Sequence, residues 1–152
     1  MKLIDLYNPR MVRVGLPGQT KAEVFRSMAT LFVETGKVTD LERFVEDLQT
    51  RERSISTGVG RGLAIPHGKS EAVSTATYAI ATLRDPFLWD EDDEETTKLV
   101  VMLGVPANEP ATTHLRLLSE FATALMDDEF RAELINAEDE ADIRSALASK
   151  GE

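Results

Sequence analysis

The 152-residue chain contains no cysteine. Disulfides, thiol nucleophiles and cysteine-ligated zinc are therefore excluded, and a reducing compartment suits the chain without being required. No apolar run approaches the roughly 20 residues that cross a bilayer. The opening stretch Met1-Lys2-Leu3-Ile4-Asp5-Leu6 interrupts its apolar residues at Asp5 and lacks a signal-peptide core, so a cytoplasmic protein is expected. Internal repeats, low-complexity tracts and linkers are lacking as well. One domain over residues 1–152 is the expectation. Histidine is scarce: His67 and His114 are the two present.

Apolar residues make up 42% of the chain, enough to exclude a disordered one. The formal charge is −10. More than half of the excess sits in one run, Asp90-Glu91-Asp92-Asp93-Glu94-Glu95. Nucleic-acid binding is disfavoured, because phosphate backbones select basic surfaces. The run itself reads as a solvated turn, with a partner or cation contact as the functional alternative.

Hydrophobic spacing supplies the elements. Thr20 with Glu23 three residues on makes a capping pattern. Val24, Met28, Leu31 and Phe32 follow on one helical face, and Gly36 is placed to end that helix. Asp40 caps a second helix carrying Leu41, Phe44, Val45 and Leu48. A glycine-rich stretch, Thr57-Gly58-Val59-Gly60-Arg61-Gly62, leads through Leu63-Ala64-Ile65 to Pro66 and His67. Thr75 to Leu83 reads as a strand. The β-prone run Leu99 to Val105 reads as a strand buried on both faces. Pro106 and Pro110 bracket a loop. Thr112 or Thr113 is expected to cap a long helix carrying Leu115, Leu118, Ala122 and Leu125. Asp128 is expected to cap a short helix with Phe130 and Leu134, and a last helix runs near Glu138 to Ala148. Together these predict an α/β fold: a mixed β-sheet flanked by helices on both faces in a single layered domain.

Chemistry narrows to the histidines. His67 ends a short apolar segment after Pro66, where a sheet edge would hold it partly exposed. His114 falls in the first turn of a predicted helix, whose free N–H groups and dipole suit an anion and disfavour imidazolium. Neutral imidazole is nucleophilic. Two histidines near an anion site make a phosphohistidine centre plausible, one carrying the phosphate and the other orienting it. Their closeness in space is an expectation. Gly58, Gly60 and Gly62 do not make a P-loop, which needs a lysine followed by Ser or Thr and a helix. Nor do they make a dinucleotide fingerprint, since Pro66 opposes the required helix. Two histidines without a H-E-x-x-H helix make a poor zinc site. No carboxylate pair is marked as a glycosidase pair, and no serine sits in a nucleophile elbow.

The string Arg51-Glu52, then Ser56-Thr57-Gly58-Val59-Gly60-Arg61-Gly62-Leu63-Ala64-Ile65-Pro66-His67-Gly68-Lys69, resembles the active-site signature of the phosphotransferase system (PTS) enzyme IIA family of fructose/mannitol type. The nitrogen-regulatory branch shares that signature. Val100 to Pro106, His114-Leu115-Arg116-Leu117-Leu118, Asp128-Glu129-Phe130-Arg131 and Gly36-Lys37-Val38-Thr39-Asp40 extend the likeness over nearly the whole chain. The six-acid run departs from the shorter turn of relatives and bears on partner choice.

The resemblance implies a fold and a function. Members accept a phosphoryl group from phospho-HPr on Nε2 of the histidine matching His67 and pass it to a IIB domain, which phosphorylates incoming sugar. His114 is implied to lie beside the phosphate and Arg51 to bind it. Thr57 is a candidate support through its hydroxyl, although it reads equally as a turn residue, and Lys69 is a candidate contact to phosphate or partner. Transfer of this kind rests on positioning and charge stabilisation, to which an arginine fork suits phosphate oxygens. No metal or other cofactor is implied, and the membrane is met only through a IIC component. The expected function is fructose-type sugar uptake; the alternative is a nitrogen-type IIA that controls regulatory partner proteins by contact.

Overall fold

The computed structural model describes residues 2–150, with Thr113 described apart from its side chain. Two short 3₁₀ turns, Leu3–Leu6 and Pro9–Met11, lead into strand β1, Val12–Leu16. Helices α1, Lys21–Glu34, and α2, Leu41–Ser54, follow. Strands β2, Gly58–Gly60, β3, Leu63–Ala64, and β4, His67–Ser70, come next, then β5, Thr77–Phe87, and β6, Thr97–Pro106. Helices α3, Ala111–Leu125, α4, Asp128–Ile135, and α5, Glu140–Lys150, complete the described chain.

The strands form one mixed six-stranded sheet in the order β1-β5-β6-β3-β2, with β4 also paired to β6. The β5–β6 pair is antiparallel; β1 runs parallel to β5, and β3 and β4 run parallel to β6. Strand β6 is therefore flanked on both edges, and helices cover both of its faces, which explains its unbroken apolar run. Its side chains alternate between two cores. Leu99, Val101 and Leu103 join Leu117, Phe121, Leu134, Ile143 and Leu147 under α3, α4 and α5. Val100 and Met102 join Phe25, Met28, Phe32, Phe44 and Leu48 under α1 and α2. The expected helical layer on each face of a mixed sheet is what forms. Among the described residues, no helix is long and apolar enough to cross a membrane.

Local signals set the helix ends. The Thr20 hydroxyl accepts from Glu23 N–H at 3.2 Å and starts α1. Gly36, at φ +76°, ends it with Lys37 N–H on the Phe32 carbonyl and Gly36 N–H on the Val33 carbonyl. Asp40 accepts from Arg43 N–H and starts α2. Three expectations need correction. Helix α3 begins at Ala111 with Pro110, not Thr112 or Thr113, as its N-cap residue. Asp127, not Asp128, caps α4, accepting from Glu129 and Phe130 N–H. The last helix starts at Glu140 rather than near Glu138.

The α1–α2 layer lies unusually close to the sheet at one place. Gly68 and Gly104 are register partners on β4 and β6. A Cβ at Gly104 would sit 2.8 Å from Phe32 Cε2 and 3.2 Å from Phe44 Cζ; one at Gly68 would sit 3.2 Å from both Leu48 Cδ2 and Phe44 Cε1. The two glycines form a flat seat for the Phe32–Phe44 ring pair, whose centroids are 5.0 Å apart. That seat brings the last turn of α2 level with the start of β4.

Candidate active site

Strand β4 pairs with β6, and His67 is its first residue, beside Leu103. Side chains in register share a face, so His67 points to the α3 side while Gly68 faces α2. The edge position agrees with expectation, but the expected partial exposure is not observed. His67 is 6% exposed, because α2 and α3 close over it from the two faces of the sheet.

Both ring nitrogens of His67 are engaged. Nδ1 lies 3.0 Å from the Ile65 carbonyl oxygen. A carbonyl only accepts, so Nδ1 carries the proton. Nε2 accepts from the Arg51 Nε–H at 3.0 Å, so Nε2 carries the lone pair. The two bonds select one neutral tautomer. Burial pushes the His67 pKa down; the Ile65 bond opposes this, Arg51 adds to it, Glu52 opposes it, and the net is below the ordinary imidazole value. Arg51 itself comes from the last turn of α2 and is braced by donating from Nη1 to the Ile55 carbonyl at 2.6 Å.

His114 arrives from the first turn of α3, with its ring centroid 5.0 Å from that of His67 and an edge-on angle of 62°. Its Nε2 is buried and has no hydrogen-bond partner among the described residues. Burial pushes its pKa down, and His67, Lys69 and Arg51 push the same way. Both imidazoles are thus held neutral at neutral pH, beside a guanidinium and a helix N-terminus. Such a pocket offers a nucleophilic nitrogen and fixed positive partners, the ingredients for holding a transferring anionic group.

The structure brings His67, His114 and Arg51 together from three elements. Lys69, two residues along β4, shares the His67 face, is exposed and acts on His114 through its charge. Thr57 takes a different place. It is buried, and its hydroxyl donates to Glu52 rather than opening toward the imidazoles. Its carbonyl accepts from Ile65 N–H at 3.0 Å.

Glu52 was not singled out from the sequence. It follows Phe44, Val45 and Leu48 on the buried stripe of α2, and an acid on an apolar stripe was the available signal. The acidic run is likewise not wholly solvated. Asp90 accepts from the Ser56 hydroxyl and pairs with Lys21 at 2.9 Å, while Glu91, Asp92, Glu94 and Glu95 are exposed.

Comparison with known proteins identifies the family and the fold. The family model for the phosphoenolpyruvate-dependent sugar phosphotransferase system, EIIA 2, matches residues 5–150. The 2-O-alpha-mannosyl-D-glycerate-specific EIIABC component of Escherichia coli (strain K12) is 40% identical over 87% of this chain, which spans only 20% of that relative's length. The fructose-specific EIIA component of Haloferax volcanii is 35% identical, over 91% of this chain and 89% of the relative. The nitrogen regulatory protein IIA-Ntr of Neisseria meningitidis superposes with a TM-score of 0.85 at 27% identity, over 95% of this chain and 97% of that one. Mannitol IIA of Escherichia coli, solved in complex with phosphorylated mannitol IIB, shares the fold with a TM-score of 0.80 at 20% identity, over 94% and 97% of the two chains. The chain belongs to the EIIA 2 family of phosphotransferase components of the phosphoenolpyruvate-dependent sugar phosphotransferase system.

Proposed function

We propose that the chain is a phosphoryl carrier that accepts phosphate from phospho-HPr on His67 Nε2 and passes it to a IIB domain, serving uptake of a fructose-type sugar from the cytoplasmic side. The observation that carries this reading is the tautomer. Nδ1–H is spent on the Ile65 carbonyl, and the Nε2 lone pair faces the Arg51 guanidinium.

In the forward step Nε2 attacks phosphorus, the Nε2–P bond forms as the donor's N–P bond breaks, and the donor imidazole leaves with its electron pair. His67 needs no base, because its attacking nitrogen bears no proton. Arg51 N–H shifts from the lone pair onto a phosphoryl oxygen. His114 Nε2, buried and without a partner among the described residues, supplies the second polar contact. Lys69 stands at the rim for phosphate or partner, and Thr57 supports the site through Glu52 and Ile65. The sugar class rests on the name of the Haloferax relative, which matches this chain over most of its own length. A regulatory reading has its own support in the overall likeness to the Neisseria IIA-Ntr structure.

The test incubates the protein with enzyme I, HPr and labelled phosphoenolpyruvate. Wild type takes an acid-labile label and His67→Ala takes none; full label on that variant overturns the assignment. Candidate IIB domains are then added. Discharge to one supports transport, whereas no discharge together with tight binding to a regulator supports regulation. His114→Ala keeps part of the labelling and slows onward transfer; unchanged kinetics in both steps removes His114 from the mechanism.

A further inference from the structure

Arg51 and Glu52 are neighbours in the last turn of α2, yet they act in different directions. Arg51 reaches His67, whereas Glu52 is buried at 9% exposure beneath the segment entering β2. Its carboxylate accepts from Thr57 N–H at 2.9 Å, from the Thr57 hydroxyl, from Lys21 Nζ at 3.0 Å and from Trp89 Nε1 at 3.2 Å. Burial alone raises the Glu52 pKa, but the Thr57 hydroxyl, the Thr57 N–H and Lys21 outweigh it and keep the group ionised.

A buried ion pair is a poor way to gain stability, since an apolar side chain of similar size commonly does as well. The carboxylate does something that an apolar side chain would not: it grips one residue, Thr57, by two bonds. Trp89 presses from the side, with its Cδ1 lying where a Gly58 Cβ would come within 2.9 Å. From Thr57 the restraint runs on. The Thr57 carbonyl holds Ile65 N–H at 3.0 Å, and the Ile65 carbonyl holds His67 Nδ1 at 3.0 Å. Strands β2 and β3 have only 3 and 2 residues, so the Ile65 backbone has little ladder pairing on that side, while its side chain packs in the core.

We propose that Glu52 is a positioning residue for the phosphoryl acceptor, clamping Thr57 so that the Ile65 carbonyl holds His67 Nδ1–H and orients the ring for attack through Nε2. The two ring nitrogens of His67 are thereby served by two consecutive residues of one helical turn, Arg51 directly and Glu52 through Thr57 and Ile65. This inference rests on His67 as the acceptor.

The experiment records the imidazole Nδ1–H resonance of His67 and its exchange with water in the unphosphorylated protein, together with the rate of phosphorylation by phospho-HPr. Wild type shows a downfield, protected proton. Glu52→Gln keeps an oxygen for Thr57 N–H, while the Thr57 hydroxyl turns to accept from the amide, so protection and rate stay within about twofold of wild type. Glu52→Ala loses the protected signal and slows phosphorylation about 10- to 100-fold. A folded Glu52→Ala with the protected proton and a wild-type rate overturns the proposal and leaves Glu52 a structural residue. If that variant does not fold, Glu52→Asp replaces it; its carboxylate is one methylene too short to reach Thr57, Lys21 and Trp89 together. An unchanged proton and rate in Glu52→Asp are equally fatal. Labelling of His67→Ala would instead refute the acceptor reading, and the proton measurement would still decide whether the clamp exists.

Discussion

Gly104→Ala tests whether the glycine seat sets the height of α2 above the sheet. The new Cβ would lie 2.8 Å and 3.3 Å from Phe32 Cε2 and Cδ2 and 3.2 Å from Phe44 Cζ. The first distance requires movement, and both rings are fully buried, so the neighbours cannot swing into solvent. Overpacking of this kind costs about 1–3 kcal/mol. Gly104 is not in the left-handed region, so alanine also narrows the unfolded ensemble, which offsets about 0.4–1 kcal/mol. A net loss of about 1–2 kcal/mol is expected, or about 2–8 °C in Tm for a chain of this size. Phe44 is on α2 with Arg51, so relief by lifting that helix should also lengthen the Arg51–His67 hydrogen bond and slow phosphorylation. Paired urea melts and labelling rates read both effects. Phe32→Leu removes the ring atoms that the methyl meets. The double variant should therefore recover roughly 0.5–1.5 kcal/mol relative to the sum of the singles. Wild-type Tm in Gly104→Ala, or strict additivity in the double variant, would refute the seat.

Two further outcomes follow from the geometry. Arg61 lies at φ +58° between Gly60 and Gly62, both also at positive φ, and its ion pair with Asp128 is long at 3.6 Å and exposed on both sides. Arg61→Asn, which tolerates that backbone, should stabilise the protein by about 0.5–1 kcal/mol in urea unfolding; a loss of stability would mean that the arginine side chain contributes more than its strain costs. The pH dependence has a worked sign. His67 and His114 have pKa values lowered by folding, so the unfolded chain binds protons first. Their contribution is complete above roughly pH 6.5 and is lost as pH falls through the lower folded values. Stability should drop on acidification from pH 7 toward 5, and the double variant His67→Gln, His114→Gln should flatten that segment. The steeper loss below roughly pH 4.5, where lowered carboxylates such as Glu52 and Asp90 protonate, should persist. An unchanged slope between pH 7 and 5 would show that the two imidazoles are not held neutral by the fold.

The long elements were legible because each carried its own signal. Strand β6 is apolar at consecutive positions because it is covered on both faces, and α1 and α2 have side-chain caps at Thr20 and Asp40. Short strands lacked such signals. β1 is a five-residue strand with a glycine in it, and the glycines of β2 make it look like a turn in the sequence, although Gly58 and Ala64 pair across β2 and β3. Neither could be assigned without its partner strand. Helix α3 shows the limit of periodicity. Leu115, Leu118, Ala122 and Leu125 make an acceptable stripe, but the buried stripe contains Leu117, Phe121, Ala124 and Leu125, and Leu115 is 62% exposed. Two overlapping stripes satisfy the same period, and only the sheet beneath decides between them.

His114 does not break that tie by spacing alone: it precedes Leu117 by three positions and Phe121 by seven, and equally Leu118 by four and Ala122 by eight. A helix rotated to bury Leu115 would carry His114 away from β4. The choice of stripe and the pairing of His67 with His114 are therefore one fact, with the apolar residues of α3 setting the direction in which its histidine points. The same dependence holds for Arg51, whose reach to His67 follows from the glycine seat under Phe44. Motif spacing in the sequence located the imidazoles and the guanidinium, but their mutual distances are set by which core residues lie beneath each helix. A substitution in either core that turns or lifts α2 or α3 should thus impair phosphorylation while leaving all three site residues in place.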